Sequence, residues 1–293
     1  MATFRAPTAQ AAHVMKSLQG HHLRSVGTVR NYEQGLTRVA EWTQRERLPG
    51  GLRAMTPELA IRYLEQRGQE VGQKALDMER QAMQAMMQHV TGQLAHGARI
   101  PVIKSEQAQV LTARAYTAPQ VALIAAAQTP RHGLATELAY AAGLRAHELL
   151  TLRRGEERAA DPRPALASKW QGRDGVIYTV HGKGGLVREV LLPHALAERL
   201  EAVRLDAPLA ITDRGIHYQS HYDIGGGQRW SNSVSAASER ALGWSTGAHG
   251  LRHSYAQERM AELQASLSRD AALTTVSQEM GHFRPEITET YLR

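Results

Sequence analysis

The chain has 293 residues, a hydrophobic content of 42%, no cysteine and a formal net charge of +7. It is long enough for two domains or one large one, and the lack of cysteine excludes disulfides, thiolate-bound zinc and a thiol nucleophile. The positive charge favours a polyanionic partner, either nucleic acid or an anionic membrane surface. No apolar run approaches the ~20 residues of a membrane span, and the N-terminus lacks a secretory signal, so we expect a cytoplasmic protein.

The first half of the sequence predicts four helices. Apolar residues at helical spacing predict helices over 8–20, 25–48 and 73–96. Thr56-Pro57 predicts the start of another helix, with Thr as the N-cap and Pro in the first turn.

This half is also the more basic one. Residues 1–110 carry 14 Lys and Arg against 9 Asp and Glu, so most of the net positive charge lies here. Basic side chains bind DNA phosphates, although each one taken singly is more typical of an ordinary solvated surface. The candidate phosphate contacts are Arg24, Arg30, Arg38, Lys74 and Arg80.

The second half begins with helices predicted over 118–128 and 133–142. A new amphipathic turn follows Gly143, which predicts that Arg145 lies at a helix N-terminus, where free backbone N–H groups attract anions. Glu148 lies three residues further along the same face and can hold the Arg145 guanidinium in place. An ordinary surface Arg–Glu pair is the alternative interpretation.

The periodicity then changes to that of β-strands. Residues 176–180 and 187–193 predict a β-hairpin with Lys183 at or near its tip. A flexible ammonium there can reach into a site from the side, although a solubilising turn lysine is the commoner case. The Gly-Lys-Gly-Gly sequence lacks the spacing of a Walker A nucleotide-binding loop.

A helix is predicted over 194–204, followed by a polar, Gly-rich stretch over 212–229 that we interpret as an exposed loop. Arg229 and Ser231 then stand at the start of a helix over 231–242. Polar and cationic groups at a helix start suit contact with phosphates or bases, and a simple helix cap is equally consistent with them.

Two histidines and an arginine begin the next predicted helix, which runs from His249 to about 265. His249 and Arg252 face the same way, and His249 and His253 have the spacing of a metal-binding pair. The residue after His249 is Gly250 rather than the Glu of zinc proteases, and no third ligand lies nearby. We therefore predict no metal site.

A tyrosine near the C-terminus suggests chemistry on a phosphodiester. A phenol with a pKa near 10 is about one part in a thousand ionised at neutral pH, so a neighbouring base assists its attack. Arginine forks stabilise the charge of the transition state, and an ammonium protonates the leaving oxygen. The residues that supply these groups are Arg145, Lys183, His249, Arg252, His282 and Tyr291.

In this order, these motifs resemble those of the tyrosine recombinase (phage-type integrase) family. The resemblance rests on Gly143-Leu144-Arg145-x-x-Glu148, Gly182-Lys183-Gly184, His249-x-x-Arg252-His253, and Gly281-His282 followed by Tyr291-Leu292. It implies a mainly α fold. An N-terminal four-helix core-binding (SAM-like) domain over 1–104 and a linker over 105–115 precede an α+β catalytic domain over 116–293 with a small antiparallel β-hairpin.

The resemblance also implies a role for each residue of the set. Tyr291 is the expected nucleophile, which forms a 3′-phosphotyrosyl link and releases a 5′-hydroxyl. Arg145 and Arg252 are expected to hold the non-bridging oxygens of the scissile phosphate, to which His282 donates a hydrogen bond.

The remaining residues are expected to move protons or to support the site. Lys183 acts as general acid toward the leaving 5′-oxygen, and His249 assists proton transfer. Glu148 supports the arginines, and His253 is structural or accessory. The covalent link conserves the energy of the phosphodiester, so neither a cofactor, ATP nor a metal is expected.

The implied partner is double-stranded DNA, bound by a homotetramer that exchanges strands through a Holliday junction. The free chain is expected to be a monomer associated with the nucleoid, to act on mobile genetic elements, and to have accessory DNA-bending proteins as further partners. Only Leu292 and Arg293 follow Tyr291, whereas family members usually continue into a segment that docks on a neighbouring protomer. Either assembly uses other surfaces or the chain is truncated. We also expect residues 284–293 to be displaced from the site until DNA binds.

Three alternatives remain at this point. A type IB topoisomerase or a hairpin telomere resolvase uses the same tyrosine chemistry with a different outcome. A catalytically silent DNA-binding protein of the same fold has no reason to keep all six residues. A His-ligated metallohydrolase would lose its activity in the presence of a chelator.

Overall fold

The structure, a computed structural model, describes residues 5–23, 26–109, 111–282 and 284–293. The chain divides into two compact units, Met1–Val110 and Leu111–Arg293. The division falls inside the segment predicted as a linker. Ser105 hydrogen-bonds to the carbonyl of Val71 in the first unit, whereas Arg114 hydrogen-bonds to the carbonyl of Thr246 in the second.

The first unit contains the four predicted helices. They are α1 (Pro7–Leu18), α2 (Val26–Arg45), α3 (Pro57–Gly68) and α4 (Gln73–Met86), with a 3₁₀ turn at Gly51–Ala54. Thr56 caps α3 as predicted, because its hydroxyl accepts from the Leu59 N–H at 3.3 Å. The last helix is shorter than predicted: it continues only as a π-helical turn, Met87–Thr91, which ends at left-handed Gly92.

The core of the first unit is built from aliphatic, methionine and aromatic side chains. Trp42 and Tyr63 meet edge to face with their ring centroids 5.4 Å apart, and Met83 is fully buried among them. A buried carboxylate, Glu79, accepts a hydrogen bond from the Tyr63 hydroxyl at 2.7 Å and lies 3.3 Å from Nε of Arg67. This ion pair ties α3 to α4.

The second unit combines helices with two small antiparallel sheets. Its helices are α5 (Ala118–Ala126), α6 (Pro130–Ala141), α7 (His194–Glu201), α8 (Gly227–Leu242), α9 (Gly250–Gln264), α10 (Arg269–Glu279) and α11 (Pro285–Glu289). Its strands are β1 (Arg153–Arg154), β2 (Val176–His181), β3 (Val187–Leu192), β4 (Arg204–Asp213) and β5 (Ile216–Tyr222).

The predicted hairpin, β2–β3, is part of a three-stranded sheet of order β1-β2-β3, with β2 as the central strand. Ile177 pairs with Leu191 and His181 pairs with Val187. The two strands are joined by a 3₁₀ turn at Lys183–Gly185, so Lys183 lies at the tip as predicted.

The interpretation of residues 212–229 as an exposed loop was wrong. Strands β4 and β5 form a second hairpin there, which turns at Arg214 and Gly215, both with positive φ. Most of β4 is exposed on both faces, so its sequence lacks the alternation that marks a half-buried strand. The hairpin is anchored by the buried ring of Tyr222 at its open end and by Asp213 beside the turn, which is buried and accepts from the Gln228 N–H at 2.8 Å.

Three further helices differ from the prediction. Helix α7 ends at Glu201, and α8 begins at Gly227, four residues early. Helix α10 had no predicted counterpart, although Ser268 caps it by accepting from the Ala271 N–H at 3.3 Å. Among the described residues, none of the helices has both the length and the apolar character that crossing a membrane requires.

Candidate active site

The second unit brings five of the six predicted site residues together. Each lies where a helix begins or ends: Arg145 ahead of a 3₁₀ turn, His249 and Arg252 at the start of α9, His282 after α10, and Tyr291 after α11. Helix ends and the connections beside them therefore carry the whole cluster, and the packing of α9, α10 and α11 fixes its geometry.

The sixth residue, Lys183, lies at the edge of this cluster. Its side chain is exposed, and its ammonium forms no hydrogen bond or ion pair with any residue that the structure describes. The turn that carries it nevertheless touches the cluster, because a β carbon placed on Gly182 would lie 3.5 Å from Oε1 of Glu148. Lys183 thus stands beside the site on a long, unrestrained side chain.

Glu148 is fully buried at the centre of the cluster. Its Oε1 accepts from Nη1 of Arg145 at 2.7 Å, and its Oε2 accepts from Nη2 of Arg188 at 2.8 Å. Nη1 of Arg252 lies 3.9 Å from Oε2. Burial alone raises the pKa of a carboxyl, but Arg188, Arg252 and Arg145 together hold the pKa of Glu148 far below its usual range.

The surroundings of Arg145 differ from the prediction in one respect. Arg145 does not begin an α-helix, and its backbone N–H is not free, because it donates to Oε2 of Glu148 at 2.8 Å. The Glu148 carboxylate folds back onto the turn, much as the acidic residue of a capping box does. Anion binding at this point therefore falls to the guanidinium, of which only Nη1 is engaged by the described residues.

Arg188 was not predicted from the sequence. It is buried on β3 and donates twice to Glu148, and its Nη1 also donates to the carbonyl of Glu279 at 2.7 Å. The strand pattern does contain a signal, since Arg188, Val190 and Leu192 share the inward face of β3. A cation at an inward position of a strand indicates a buried anionic partner.

Arg252 is fully buried and is held by backbone carbonyls as well as by charge. Nη1 donates to the carbonyl of Gly143, and Nη2 donates to the carbonyl of Met280 at 3.2 Å. Its Nε is buried without a hydrogen-bond partner among the described residues. Burial and the neighbouring Arg145 lower the pKa of Arg252 to about 10, so it is cationic at neutral pH.

His282 lies between Arg252 and α11. Nη2 of Arg252 lies 3.2 Å from Nε2 of His282, and Nδ1 of His282 lies 2.8 Å from Oγ1 of Thr288. A guanidinium can only donate, so we assign the lone pair to Nε2 and the proton to Nδ1. Burial and the positive charge of Arg252 lower the pKa of His282 to about 3, which agrees with a neutral ring.

His249 and His253 complete the imidazole set. Desolvation by the surrounding protein, followed by the charge of Arg252, lowers the pKa of His249 to about 3, although part of the residue is solvent-exposed. His253 is buried, and desolvation together with Arg114 lowers its pKa to about 4. Nδ1 of His253 has no hydrogen-bond partner in the part of the chain that is described.

Tyr291 is docked against this cluster and is only 7% exposed. Its ring stacks on His282 at 5.3 Å, lies 5.0 Å from the ring of His253, and has the guanidinium carbon of Arg252 5.4 Å from its centroid. Gln257 on α9 also donates to the Tyr291 carbonyl at 3.2 Å. The structure thus places this segment against the site rather than displaced from it, since apolar packing, ring stacking and a backbone hydrogen bond hold Tyr291 in the cluster.

A second buried ion pair supports the end of α10. Both oxygens of Glu279 accept from Arg259, while the Tyr255 hydroxyl donates to Oε2 at 2.9 Å and the Trp170 N–H donates to Oε1 at 2.8 Å. Glu279 thus joins α9, α10 and the segment before β2, three residues ahead of His282.

The DNA-contact candidates of the first unit differ in whether their cationic groups already bind other residues of the chain. Arg30 and Lys74 are exposed and bind no described residue, whereas the half-exposed Arg38 lies 3.4 Å from the buried Glu79. Arg80 is largely engaged internally, since Nη1 donates to the Ile100 carbonyl at 3.1 Å. Arg24 lies outside the described residues.

The two candidates in the second unit lie near the start of α8. Arg229 is exposed, and Ser231 is partly buried with its carbonyl accepting from the Ser235 hydroxyl at 3.2 Å. The nearby Gln228 N–H donates to Asp213 at 2.8 Å, so part of this helix start is already capped by a carboxylate. Arg229 is the better candidate for an anion contact.

The His249–His253 pair has no further ligand beside it. Their rings lie 5.8 Å apart in a T-shaped arrangement. Across the residues that the structure describes, no group of three or more His, Asp or Glu side chains has a geometry that could hold a metal ion. These histidines instead face the tyrosine.

Neither protein-family models nor curated proteins give a match to this sequence. Solved structures with a similar fold are found. XerH site-specific recombinase bound to palindromic difH in a post-cleavage complex aligns with a TM-score of 0.57 at 14% identity, covering 99% of this chain and 94% of that chain. A lambda integrase dimer bound to a COC′ core site aligns at 0.58 and 16% identity, covering 97% and 94%. A lambda integrase tetramer bound to a Holliday junction aligns at 0.58 and 16%, covering 97% and 76%.

At these identities, the comparison establishes the fold. The chain has the mainly α, two-part fold of these recombinases, and the fold class predicted from the sequence is confirmed.

Proposed function

We propose that this chain is a site-specific DNA recombinase that cleaves and rejoins duplex DNA through a 3′-phosphotyrosyl intermediate. The observation that carries the proposal is the docking of Tyr291 against His249, His282 and Arg252. A phenol, two neutral imidazoles and a buried guanidinium meet at one point, and each supplies a separate requirement of phosphoryl transfer.

The cleavage step exchanges one ester for another. The Tyr291 oxygen forms a bond to the scissile phosphorus as the bond from phosphorus to the 5′-oxygen breaks. The phenol proton passes to His249, and the ammonium of Lys183 protonates the departing 5′-oxygen. Attack by the 5′-hydroxyl of a partner strand reverses these steps and releases Tyr291, so the phosphodiester is conserved without ATP.

The arginines provide the charge that the phosphate requires. Arg145, Arg188 and Arg252 surround the single carboxylate of Glu148, which leaves two net positive charges in a buried site. We assign Arg145 and Arg252 to the non-bridging oxygens, because Arg145 has uncommitted N–H groups and the buried Nε of Arg252 has no partner among the described residues. Such preorganised donors stabilise charge best where water is excluded.

Binding of the phosphate allows the imidazoles to act as a proton acceptor and as a hydrogen-bond donor. In the free protein, burial and neighbouring cations lower the pKa values of His249 and His282 to about 3. A bound phosphate adds negative charge, which favours the protonated forms and raises both pKa values toward neutrality. His249 can then hold the proton of Tyr291, and His282 can donate to a phosphate oxygen.

The first unit supplies a surface for the duplex. An open groove of about 1030 Å³ lies along α2 and α4. Its lining includes the cations Arg38 and Lys74, the amides of Asn31, Gln34 and Gln81, and the carboxylates of Glu70, Asp77 and Glu79, of which Glu79 is paired with Arg38. Cationic side chains suit phosphates, and side-chain amides suit base edges in the major groove. We therefore propose that residues 1–104 form a core-binding domain. We further propose that four chains assemble on DNA, by analogy with the lambda integrase tetramer bound to a Holliday junction.

The test is covalent attachment. Nicked suicide duplexes from the DNA flanking the coding sequence should become attached to the chain in the presence of EDTA. Tyr291→Phe should abolish the adduct and leave DNA affinity unchanged, and Tyr218→Phe in the β5 hairpin should change neither. An adduct that persists in Tyr291→Phe would remove the basis of the proposal.

The same assay separates the related functions. Adducts that lead only to relaxation of supercoiled plasmid would indicate a type IB topoisomerase, and closed hairpin ends would indicate a telomere resolvase. DNA binding without any adduct would indicate a silent DNA-binding protein. Strand exchange between two sites is the outcome expected of a recombinase.

A further inference from the structure

A buried hydroxyl links His282 to the helix that precedes the tyrosine. Thr288 lies on α11 and is fully buried. Its Oγ1 lies 2.8 Å from Nδ1 of His282, and its carbonyl accepts from the Tyr291 N–H at 2.9 Å. One residue therefore contacts both the imidazole ring and the backbone of the tyrosine.

The direction of the hydrogen bond in the free protein follows from Arg252. The guanidinium donates to Nε2 of His282, so the proton of the neutral ring lies on Nδ1 and is donated to the Thr288 oxygen. The threonine hydroxyl accepts in this state. Without it, a half-buried N–H would lose its partner, which costs free energy.

A bound phosphate requires the opposite face of the ring to donate. Phosphate oxygens only accept hydrogen bonds, so Nε2 of His282 must carry a proton toward them. If the ring is neutral, Nδ1 then has a lone pair and the Thr288 hydroxyl must donate to it. If the ring is an imidazolium, the hydroxyl continues to accept. A hydroxyl serves either state because it can both donate and accept.

We propose that Thr288 is a positioning residue, whose hydroxyl holds the His282 ring in register with the tyrosine through both protonation patterns of the reaction. The proposal rests on the function proposed above. It assigns to Thr288 no contact with DNA: Thr288 acts through His282 and through the turn that carries Tyr291. The hydroxyl keeps Nε2 directed at the phosphate, while the carbonyl fixes the start of the tyrosine segment.

The decisive variant is Thr288→Val, which keeps the shape of the side chain and removes only the hydroxyl. We expect adduct formation on the nicked suicide duplex to slow by about 10- to 100-fold, which is part of the ~10²–10⁴ that a positioned histidine contributes. DNA affinity should stay within about twofold, because the hydroxyl lies behind the site. Thr288→Ser should restore most of the rate, since it restores the hydroxyl.

Two controls separate positioning from a general effect on the fold. Thr274→Val makes the same chemical change at an exposed position of α10, where the hydroxyl bonds only to the Asp270 carbonyl, and should leave the rate unchanged. In a His282→Ala background, Thr288→Val should cause little further loss, because the residue through which it acts is gone.

The outcomes are distinct. Equal rates for Thr288→Val and the unaltered chain, or additive losses with His282→Ala, would overturn the role of Thr288 while the Tyr291-dependent adduct still stands. Failure of Thr288→Ser to recover the rate would also overturn it, because a hydroxyl alone would then not suffice. Absence of any Tyr291-dependent adduct would instead contradict the proposed function itself.

Discussion

Arg188 illustrates how a residue without a proposed contact to substrate can govern a site. Its guanidinium joins the Glu148 carboxylate to the Glu279 carbonyl, next to the Met280 carbonyl that Arg252 binds. Two arginines thus bind consecutive carbonyls just ahead of His282. The end of α10 is held by charge from two other elements, and the position of the imidazole follows from it.

Removal of Arg188 should therefore lower the free energy of unfolding of the chain and not only the rate of the proposed reaction. Arg188→Met leaves Glu148 buried with one partner fewer, and breaking a buried ion pair costs about 3–5 kcal/mol. Arg145 and Arg252 still face the carboxylate, so we expect the loss in free energy of unfolding to lie near the lower end of this range. Urea unfolding of the intact chain measures it.

The matched control is Arg199→Met. Arg199 pairs with Glu137 on the surface, with half of its side chain exposed, and an exposed pair contributes at most about 1 kcal/mol. Equal losses for the two variants would show that the network around Glu148 is no more stabilising than a surface pair.

At the residue scale, the sequence predicted which side chains meet in the cluster better than it predicted the residues that hold them in place. Tyr291, Arg252 and His282 could be identified because each carries a reactive group at a recognisable spacing. Arg188 could not, because its importance comes from a carboxylate forty residues away and from a carbonyl ninety-one residues away. Long-range partners of this kind leave no periodicity in the sequence.

At the scale of elements, the first turn of α9 is the most highly constrained part of the second unit. It carries His249, Arg252 and His253, and it faces Arg145 and the buried Glu148. A further positive charge is unfavourable beside these arginines. Desolvation and the neighbouring arginines therefore lower the pKa values of His249 and His253 and keep both rings neutral.

The stability of the chain should therefore fall as the pH falls below about 6.5. The pKa of buried His253 is about 4 in the folded chain and near 6.5 when unfolded, so the unfolded chain binds more protons between these values. The loss is at most about 1.4 kcal/mol per pH unit for this group. The pKa of the Glu148 carboxyl is about 4.3 in the unfolded chain and far lower in the folded one, so above about pH 5.5 the group is ionised in both states and its contribution changes little.

Melting temperatures measured from pH 8 to pH 5 test this. His253→Gln, which cannot gain the proton, should make the dependence shallower, and the remaining slope comes from groups such as His249 and His282, whose pKa values are also lowered. His21→Gln on the exposed surface of the first unit should leave the slope unchanged. A dependence that is as steep in His253→Gln as in the unaltered chain would contradict the assignment.

The elements that were missed share one physical cause. Hairpin β4–β5 is exposed on most positions, and α10 has polar residues on nearly every turn, so neither shows a clear apolar stripe. Helices α2 and α4 were found because their inward faces repeat at helical spacing. Periodicity reports burial on one face, and it cannot report an element that is held in place by ion pairs and caps.

At the scale of the whole molecule, charge should govern DNA binding. The net charge of +7, most of it in residues 1–110, favours a polyanion without selecting a sequence. The logarithm of the affinity should fall with the logarithm of salt concentration, with a slope of about −0.9 for each phosphate neutralised.

Lys74 and Arg62 make the test specific. Lys74 is exposed in the groove along α2 and α4, and Lys74→Met should make the slope about one unit shallower. Arg62 already pairs with Glu46 on another part of the first unit, and Arg62→Met should leave the slope unchanged. A slope that responds equally to both substitutions would place the duplex on a different surface.

The docking of Tyr291 has a consequence for the kinetic order of the proposed reaction. A nucleophile that its own fold holds beside the site has an effective concentration set by geometry, and oriented groups of this kind reach about 10⁵–10⁸ M. The ordering entropy of the tyrosine segment is lost once, when the chain folds, and not again at each turnover. We therefore expect cleavage of bound DNA in the proposed reaction to be a first-order event within one subunit, and assembly with other subunits to govern the exchange of the severed ends.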